Sequence, residues 1–94
     1  MIKEFEELTE QINDLYNGGG FRCIYGSDFL GMGHVQIRSA LLHGGTQVIF
    51  FADSIKFDGD IDFKLVNLLN EFITNNDIAK LFYDNAEFLE AQDD

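Results

Sequence analysis

His34-Val35-Gln36-Ile37-Arg38-Ser39-Ala40-Leu41-Leu42, then His43-Gly44-Gly45-Thr46, then Gln47-Val48-Ile49-Phe50-Phe51-Ala52-Asp53: the fold turns on how this stretch is read. Two apolar-rich runs flank a Gly-Gly pair, and glycine supplies the positive φ angles of a two-residue hairpin turn. With Gly44 and Gly45 as the loop, Leu41 opposes Val48, Ser39 opposes Phe50 and Ile37 opposes Ala52. Side chains alternate along a strand, so these residues and Val35 share one face. That face needs a helical cover. Ile37, Leu41, Val48 and Phe50 are expected in the core against Phe5, Leu8, Leu68 or Phe72. The other face mixes His34, Gln36, Arg38, Ala40 and Leu42 with Gln47, Ile49, Phe51 and Asp53, and this register sets Arg38 opposite Phe51.

Upstream, Ile2, Phe5, Leu8, Ile12 and Leu15 recur every three or four residues, the period of an amphipathic helix. Glu4, Glu6, Glu7, Glu10 and Asp14 form its outer face, and glutamates near the start suit the positive end of the helix dipole. Asn17 and Gly18-Gly19-Gly20 end it, because glycine readily adopts the left-handed cap conformation. A phosphate-cradling loop would follow a strand and open a helix; these glycines follow a helix. Phe21-Arg22-Cys23-Ile24-Tyr25 alternates as a strand. Gly26-Ser27-Asp28-Phe29-Leu30-Gly31-Met32-Gly33 then sets three large apolar side chains among glycines. Either they fold back onto the core, or Asp28–Leu30 extends the strand, or Phe29, Leu30 and Met32 anchor a partner, since apolar side chains in a loop need cover.

Downstream, Ser54-Ile55-Lys56-Phe57 extends the third strand. Asp58-Gly59 turns the chain, and Asp60 is placed to cap the next helix. Ile61, Leu65, Leu68, Leu69, Phe72 and Ile73 give that helix an apolar stripe. Asn75-Asn76-Asp77 marks a break and a new cap, and Ile78, Leu81, Phe82, Phe88 and Leu89 line a last helix. Its other face shows Asp84, Glu87 and Glu90. The expectation is one α+β domain over residues 1–94, ordered α-β-β-β-α-α, with helices on one face of a three-stranded antiparallel sheet.

The chain has 94 residues, 46% of them hydrophobic and ten of them Phe, enough for a core without staples. One Cys permits no intramolecular disulfide. No apolar run approaches a membrane span, and Met1-Ile2-Lys3-Glu4-Phe5-Glu6-Glu7 is unlike a signal peptide, so a cytoplasmic location is the default expectation. The net charge of −11 argues against direct binding to nucleic acid or an anionic membrane, both of which require Lys and Arg to neutralise phosphates.

No catalytic signature is present, and no enzyme, cofactor or metal is expected. Asp58-Gly59-Asp60-Ile61-Asp62 alternates carboxylates like a calcium loop, but Phe63 and Leu69 stand where that loop needs Gly and Glu. Helix capping explains the acids more simply. Cys23, His34 and His43 lack zinc-ligand spacing. Cys23 with His34 could form a nucleophile and base, although one Cys in an apolar strand is usually a core residue.

The charge is unevenly distributed. Residues 1–17 carry five acids and one base, residues 18–57 two acids and three bases, and residues 58–94 ten acids and two bases. The helices thus present carboxylates at intervals that resemble a phosphate backbone electrostatically, suited to a basic groove. In size, acidity and helix-plus-meander layout the chain resembles the small DNA-mimic inhibitors that phages and plasmids deploy against host restriction or CRISPR nucleases. That resemblance implies a stoichiometric inhibitor of a basic nucleic-acid-binding protein, acting in the host cytoplasm. Glu6, Glu10 and Asp14, or Asp84, Glu87 and Glu90, would enter the groove. The alternative is a non-mimetic interaction module (adaptor, antitoxin or immunity-like) using the open sheet face or the segment Phe29, Leu30 and Met32.

Overall fold

The computed structural model describes residues 1–28, 32–39, 45–59 and 62–92. Its elements run α1 (Lys3–Leu15), β1 (Phe21–Ser27), β2 (Gly33–Ser39), β3 (Gln47–Phe50), β4 (Ile55–Asp58), α2 (Phe63–Asn75), α3 (Ile78–Asp84) and α4 (Ala86–Glu90). The four strands form one antiparallel meander in sequence order, with the helices on one face. The α+β class and antiparallel sheet agree with the sequence reading. The strand and helix numbers do not: among the described residues the sheet has four strands rather than three, and there are four helices.

The extra strand comes from a turn that the alternating pattern hides. After Phe50 the chain reverses through exposed Ala52 and Asp53, closed by the Phe51 N–H donating to the Ser54 carbonyl at 2.8 Å. Ile55-Lys56-Phe57-Asp58 therefore pairs beside β3 instead of prolonging it, with Phe50 opposite Ile55 and Val48 opposite Phe57. The hairpin register also differs. Ile37 faces Val48 and Val35 faces Phe50, four residues from the pairing a two-residue Gly-Gly turn would impose. The strands close earlier than that turn requires. Ser39 N–H donates to the Thr46 carbonyl at 3.3 Å, while the Ser39 hydroxyl donates to the Gly19 carbonyl. Ala40, Leu41, Leu42, His43 and Gly44 lie outside the described residues. Because the slip is even, every side chain keeps its face, and Val35, Ile37, Val48 and Phe50 are all essentially fully buried.

The core is aromatic at its centre. Phe5 of α1 packs on Phe50 (centroids 5.1 Å apart), Phe72 of α2 (5.5 Å) and Phe82 of α3 (6.0 Å). Ile2, Leu8, Ile12, Leu65, Leu69 and Leu89 fill the space around them. α1 ends as expected: Asn17 and Gly18 take positive φ (52° and 78°), and Gly18 N–H reaches back to the Asn13 carbonyl at 2.7 Å. Asn13 then acts as a stub of sheet. Its amide donates to Phe21 O and accepts from Phe21 N (3.0 and 2.7 Å), tying the helix to the start of β1.

α2 is capped by Asp62, whose carboxylate accepts from Leu65 N–H at 2.8 Å, not by Asp60; Asp60 and Ile61 lie outside the described residues. Asp77 caps α3 through Lys80 N–H, as the Asn-Asn-Asp break suggests. The expected single last helix is interrupted at Asn85, whose φ/ψ of −115°/20° leaves the helical region. α4 is held against the sheet by the Ser27 hydroxyl, which donates to the Gln92 carbonyl. Gly33 permits the close seat, since a Cβ there would stand 2.6 Å from that of Leu89.

Candidate functional site

The sheet divides the molecule into two electrostatic surfaces. Among the described residues the helical stretches 1–17 and 62–92 carry eleven carboxylates against three lysines, while the sheet segments carry three of each sign. On the helical side two ion pairs form among the described residues: Lys3–Glu7 at 3.8 Å and Lys80–Asp84 at 3.5 Å, both exposed i,i+4 pairs of small energetic weight. No described helix has a basic residue in its last turn. Instead Asp14, Asp84 and Glu90 stand in the last turns of α1, α3 and α4, where the helix dipole is already negative.

The structure separates the six candidate carboxylates by role. Glu10 and Asp14 are exposed, one turn apart on α1. Glu87 and Glu90 are exposed on α4. Asp84 closes α3, so it lies across the Asn85 break from Glu87 rather than on one continuous helical face. Glu6 is half-buried and occupied: Tyr25 donates its hydroxyl proton to Glu6 Oε2 at 2.5 Å while accepting from Ile2 N–H at 3.0 Å. It anchors the start of α1 to β1. A crevice of about 120 Å³ between α1 and α2 adds Glu4, Glu7 and Glu71 to the same acidic side.

Of the apolar candidates, Met32 is 57% exposed. Its N–H donates to Asp28 Oδ1 and its carbonyl accepts from Asp28 N–H, each at 3.0 Å. Phe29 and Leu30 lie outside the described residues.

The open face of the sheet is the chemical opposite of the helical side. Arg22 of β1 pairs directly with Arg38 of β2, and that row continues through Gln47 to Asp58. The next row reads Ile24, Gln36, Ile49 and Lys56. Arg38 therefore faces Gln47 and Arg22, not Phe51. Two like charges directly opposite on neighbouring strands oppose pairing. His34 and Phe51 stack loosely on this face with centroids 6.2 Å apart.

Several chemical possibilities close on geometry. Cys23 stands opposite Ile37 on the helix-covered face, whereas His34 alternates onto the open face. The two are not the nucleophile and base of one site. Burial pushes the Cys23 thiol up to about 12, with Glu6 adding to the rise, so it is protonated at neutral pH. Among the described residues no three His, Cys, Asp or Glu side chains group to hold a metal ion. Asp62 caps α2 and accepts from the Tyr16 hydroxyl at 2.8 Å. The Leu65 N–H, then that hydroxyl, hold its carboxyl below the ordinary carboxylate value. Burial first, then Asp62, push the Tyr16 phenol up to about 12.

The sequence reading missed the Arg22–Arg38 juxtaposition, which requires the strand register, and the exposure of Ile73, which the helical stripe assigns to the core. No described helix is long and apolar enough to cross a membrane. Comparison with protein-family models, curated proteins and solved structures finds no match to this chain.

Proposed function

We propose that this protein is a stoichiometric inhibitor that places its acidic helical layer in the basic nucleic-acid groove of a nuclease, in the manner of phage or plasmid anti-restriction or anti-CRISPR proteins. One observation carries the reading: the excess of negative charge lies on the helical side of the sheet, largely exposed and, among the described residues, mostly without cationic partners, and it is retained at helix C-termini where it opposes the fold. Each carboxylate in such a position forgoes roughly 0.3–1 kcal/mol that a lysine or arginine there would gain. Glu10, Asp14, Glu87 and Glu90 are the free carboxylates; Asp84 exchanges Lys80 for a partner's arginine on binding. Glu6 keeps its place on Tyr25 and organises α1. Such a surface is steered electrostatically, so association is fast at low salt and slows as salt rises.

The test is competition. Titrated against purified restriction and CRISPR effector nucleases, the protein should displace labelled duplex DNA or guide RNA from one of them, one molecule per site. Binding to such an effector without displacing its nucleic acid at any ratio refutes the mimic reading. It favours an interaction module instead.

A further inference from the structure

Four of the six large apolar side chains exposed among the described residues lie together: Met32 (57%), Ile55 (37%), Ile73 (42%) and Tyr83 (82%). They line a continuous apolar groove along the end of the sheet where the β1–β2 and β3–β4 connections emerge, with α3 as its far wall. The groove has two hollows. One, of about 460 Å³, is framed by Ile55 and Ile73 with Ile78. The other, of about 340 Å³, is framed by Met32, Phe82 and Tyr83. Ala52 and Ala79 line both and form the saddle between them. Side chains this small let another backbone approach closely, while each hollow receives one large apolar side chain. The polar fringe is of one sign. Asp53 and Asp77 border the first hollow and Glu90 the second, and among the described residues no Lys, Arg or His lines either.

We propose that this groove is a docking site for a cationic amphipathic helix of a partner protein. Two large apolar side chains one or two turns apart on one face fill the hollows across the Ala52–Ala79 saddle, and flanking Lys or Arg pair with Asp53, Asp77 and Glu90. Helix-in-groove recognition uses this division of labour, with apolar anchors on one face and charges at the margins. The inference shares only Glu90 with the nucleic-acid-mimic reading and otherwise concerns the end of the sheet and an apolar anchor rather than the free carboxylates of α1.

The probe is a synthetic Leu/Lys peptide of about five helical turns, compared with a scramble of the same composition and with a Leu/Glu counterpart. Ala79→Arg fills and charges the saddle from exposed α3, and Ala52→Arg does so from the exposed β3–β4 turn. Asn67→Arg adds the same charge on exposed α2 away from the groove. The amphipathic Leu/Lys peptide should bind the wild type and the Asn67→Arg protein alike. It should bind at least about tenfold more weakly to either saddle variant that retains the wild-type unfolding midpoint, a loss of about 1.4 kcal/mol. The amide resonances of Ala52, Ala79 and Tyr83 should move on titration. Equal affinity for the scramble, an unchanged affinity in both saddle variants, or resonance shifts confined to α1 would each overturn the proposal. Preference for the Leu/Glu peptide would do so as well.

Discussion

Phe50 and Phe51 are chain neighbours of identical chemistry on opposite sides of one sheet. Phe50 is fully buried between Phe5 and Phe72. Phe51 is half-buried beside His34 on the open face. The same division holds for charge. The covered side carries the helices with their excess of carboxylates, and the open side carries Arg22, Arg38 and Lys56 with Asp58. The sheet is a partition between a side optimised for packing that displays acid, and a bare side where the Arg22–Arg38 pair works against strand pairing. Stability and charge display are thus assigned to different layers of the helical side, the first to its apolar stripes and the second to its outer surface.

Truncating each phenylalanine in turn separates the two sides most strongly. Phe50→Ala should cost about 3–5 kcal/mol, because it empties the centre of an aromatic cluster; Phe51→Ala should cost less than about 1 kcal/mol. Denaturant unfolding of the two variants measures both, and equal losses would mean that the open face is covered.

The acidic layer itself divides in two. Glu6→Ala should cost about 1–3 kcal/mol, since it removes a charged acceptor from the half-buried Tyr25 hydroxyl. Glu10→Ala, one turn further along the same helix, should change stability by no more than about 0.5 kcal/mol. A Glu10 variant as unstable as the Glu6 variant would contradict the assignment of Glu6 as structural and Glu10 as free.

Raising the pH loosens the covered side. Burial lifts the Cys23 thiol from its ordinary 9.0 to about 12, and burial with the Asp62 hydrogen bond lifts Tyr16 from 10.0 to about 12. Burial also raises Tyr25, aided by Cys23 and Glu6. All three are neutral when protonated, so the folded state holds protons that the unfolded chain releases. Their contribution is complete below about pH 9 and is lost progressively as pH climbs towards 12. The unfolding midpoint should therefore fall across that window. At pH 8 the native thiol should react with iodoacetamide at least about tenfold more slowly than in the unfolded chain. Native labelling at the unfolded rate would place Cys23 in the open.

The smallest effect belongs to the bare face. Arg38→Thr relieves the like-charge pair with Arg22 and should raise stability by roughly 0.2–1 kcal/mol. A loss instead would show that the two guanidinium groups share an anion.

Much of this arrangement is legible in the sequence, and the gaps have physical causes. The three- and four-residue spacing of Ile2, Phe5, Leu8 and Ile12 reports α1 directly, because one face of an isolated helix is enough to define it. Strand alternation places Val35, Ile37, Val48 and Phe50 on the buried face, and an even register slip cannot change that. The register itself escapes, since it depends on where Ser39 closes onto Gly19 and Thr46, a tertiary contact. β4 escapes because Ile55 and Phe57 continue the alternation of β3 across a turn lacking both Gly and Pro. The break at Asn85 is hidden by Leu81 to Phe88 and Phe82 to Leu89, each seven residues apart, a spacing that an unbroken helix would also show. The charge asymmetry is visible from composition by segment, whereas the apolar groove is not. Its hollows join β3–β4, α2, α3 and α4, and no local pattern connects Ala52 to Ala79.

The decisive measurement sets the two charged surfaces against each other in binding to any nuclease from which the protein is found to displace nucleic acid. Wild type, a Glu10→Lys/Asp14→Lys/Glu87→Lys/Glu90→Lys variant and an Arg22→Ala/Arg38→Ala variant would be titrated across a salt series with and without competing DNA. Inhibition through the helical layer predicts affinity that falls with salt, vanishes on reversal of the four acids, yields to excess DNA and survives loss of the two arginines. Salt-insensitive binding that survives the four reversals and fails without Arg22 and Arg38 would contradict it, and would move the interface to the open sheet around Gln36, Arg38 and Phe51.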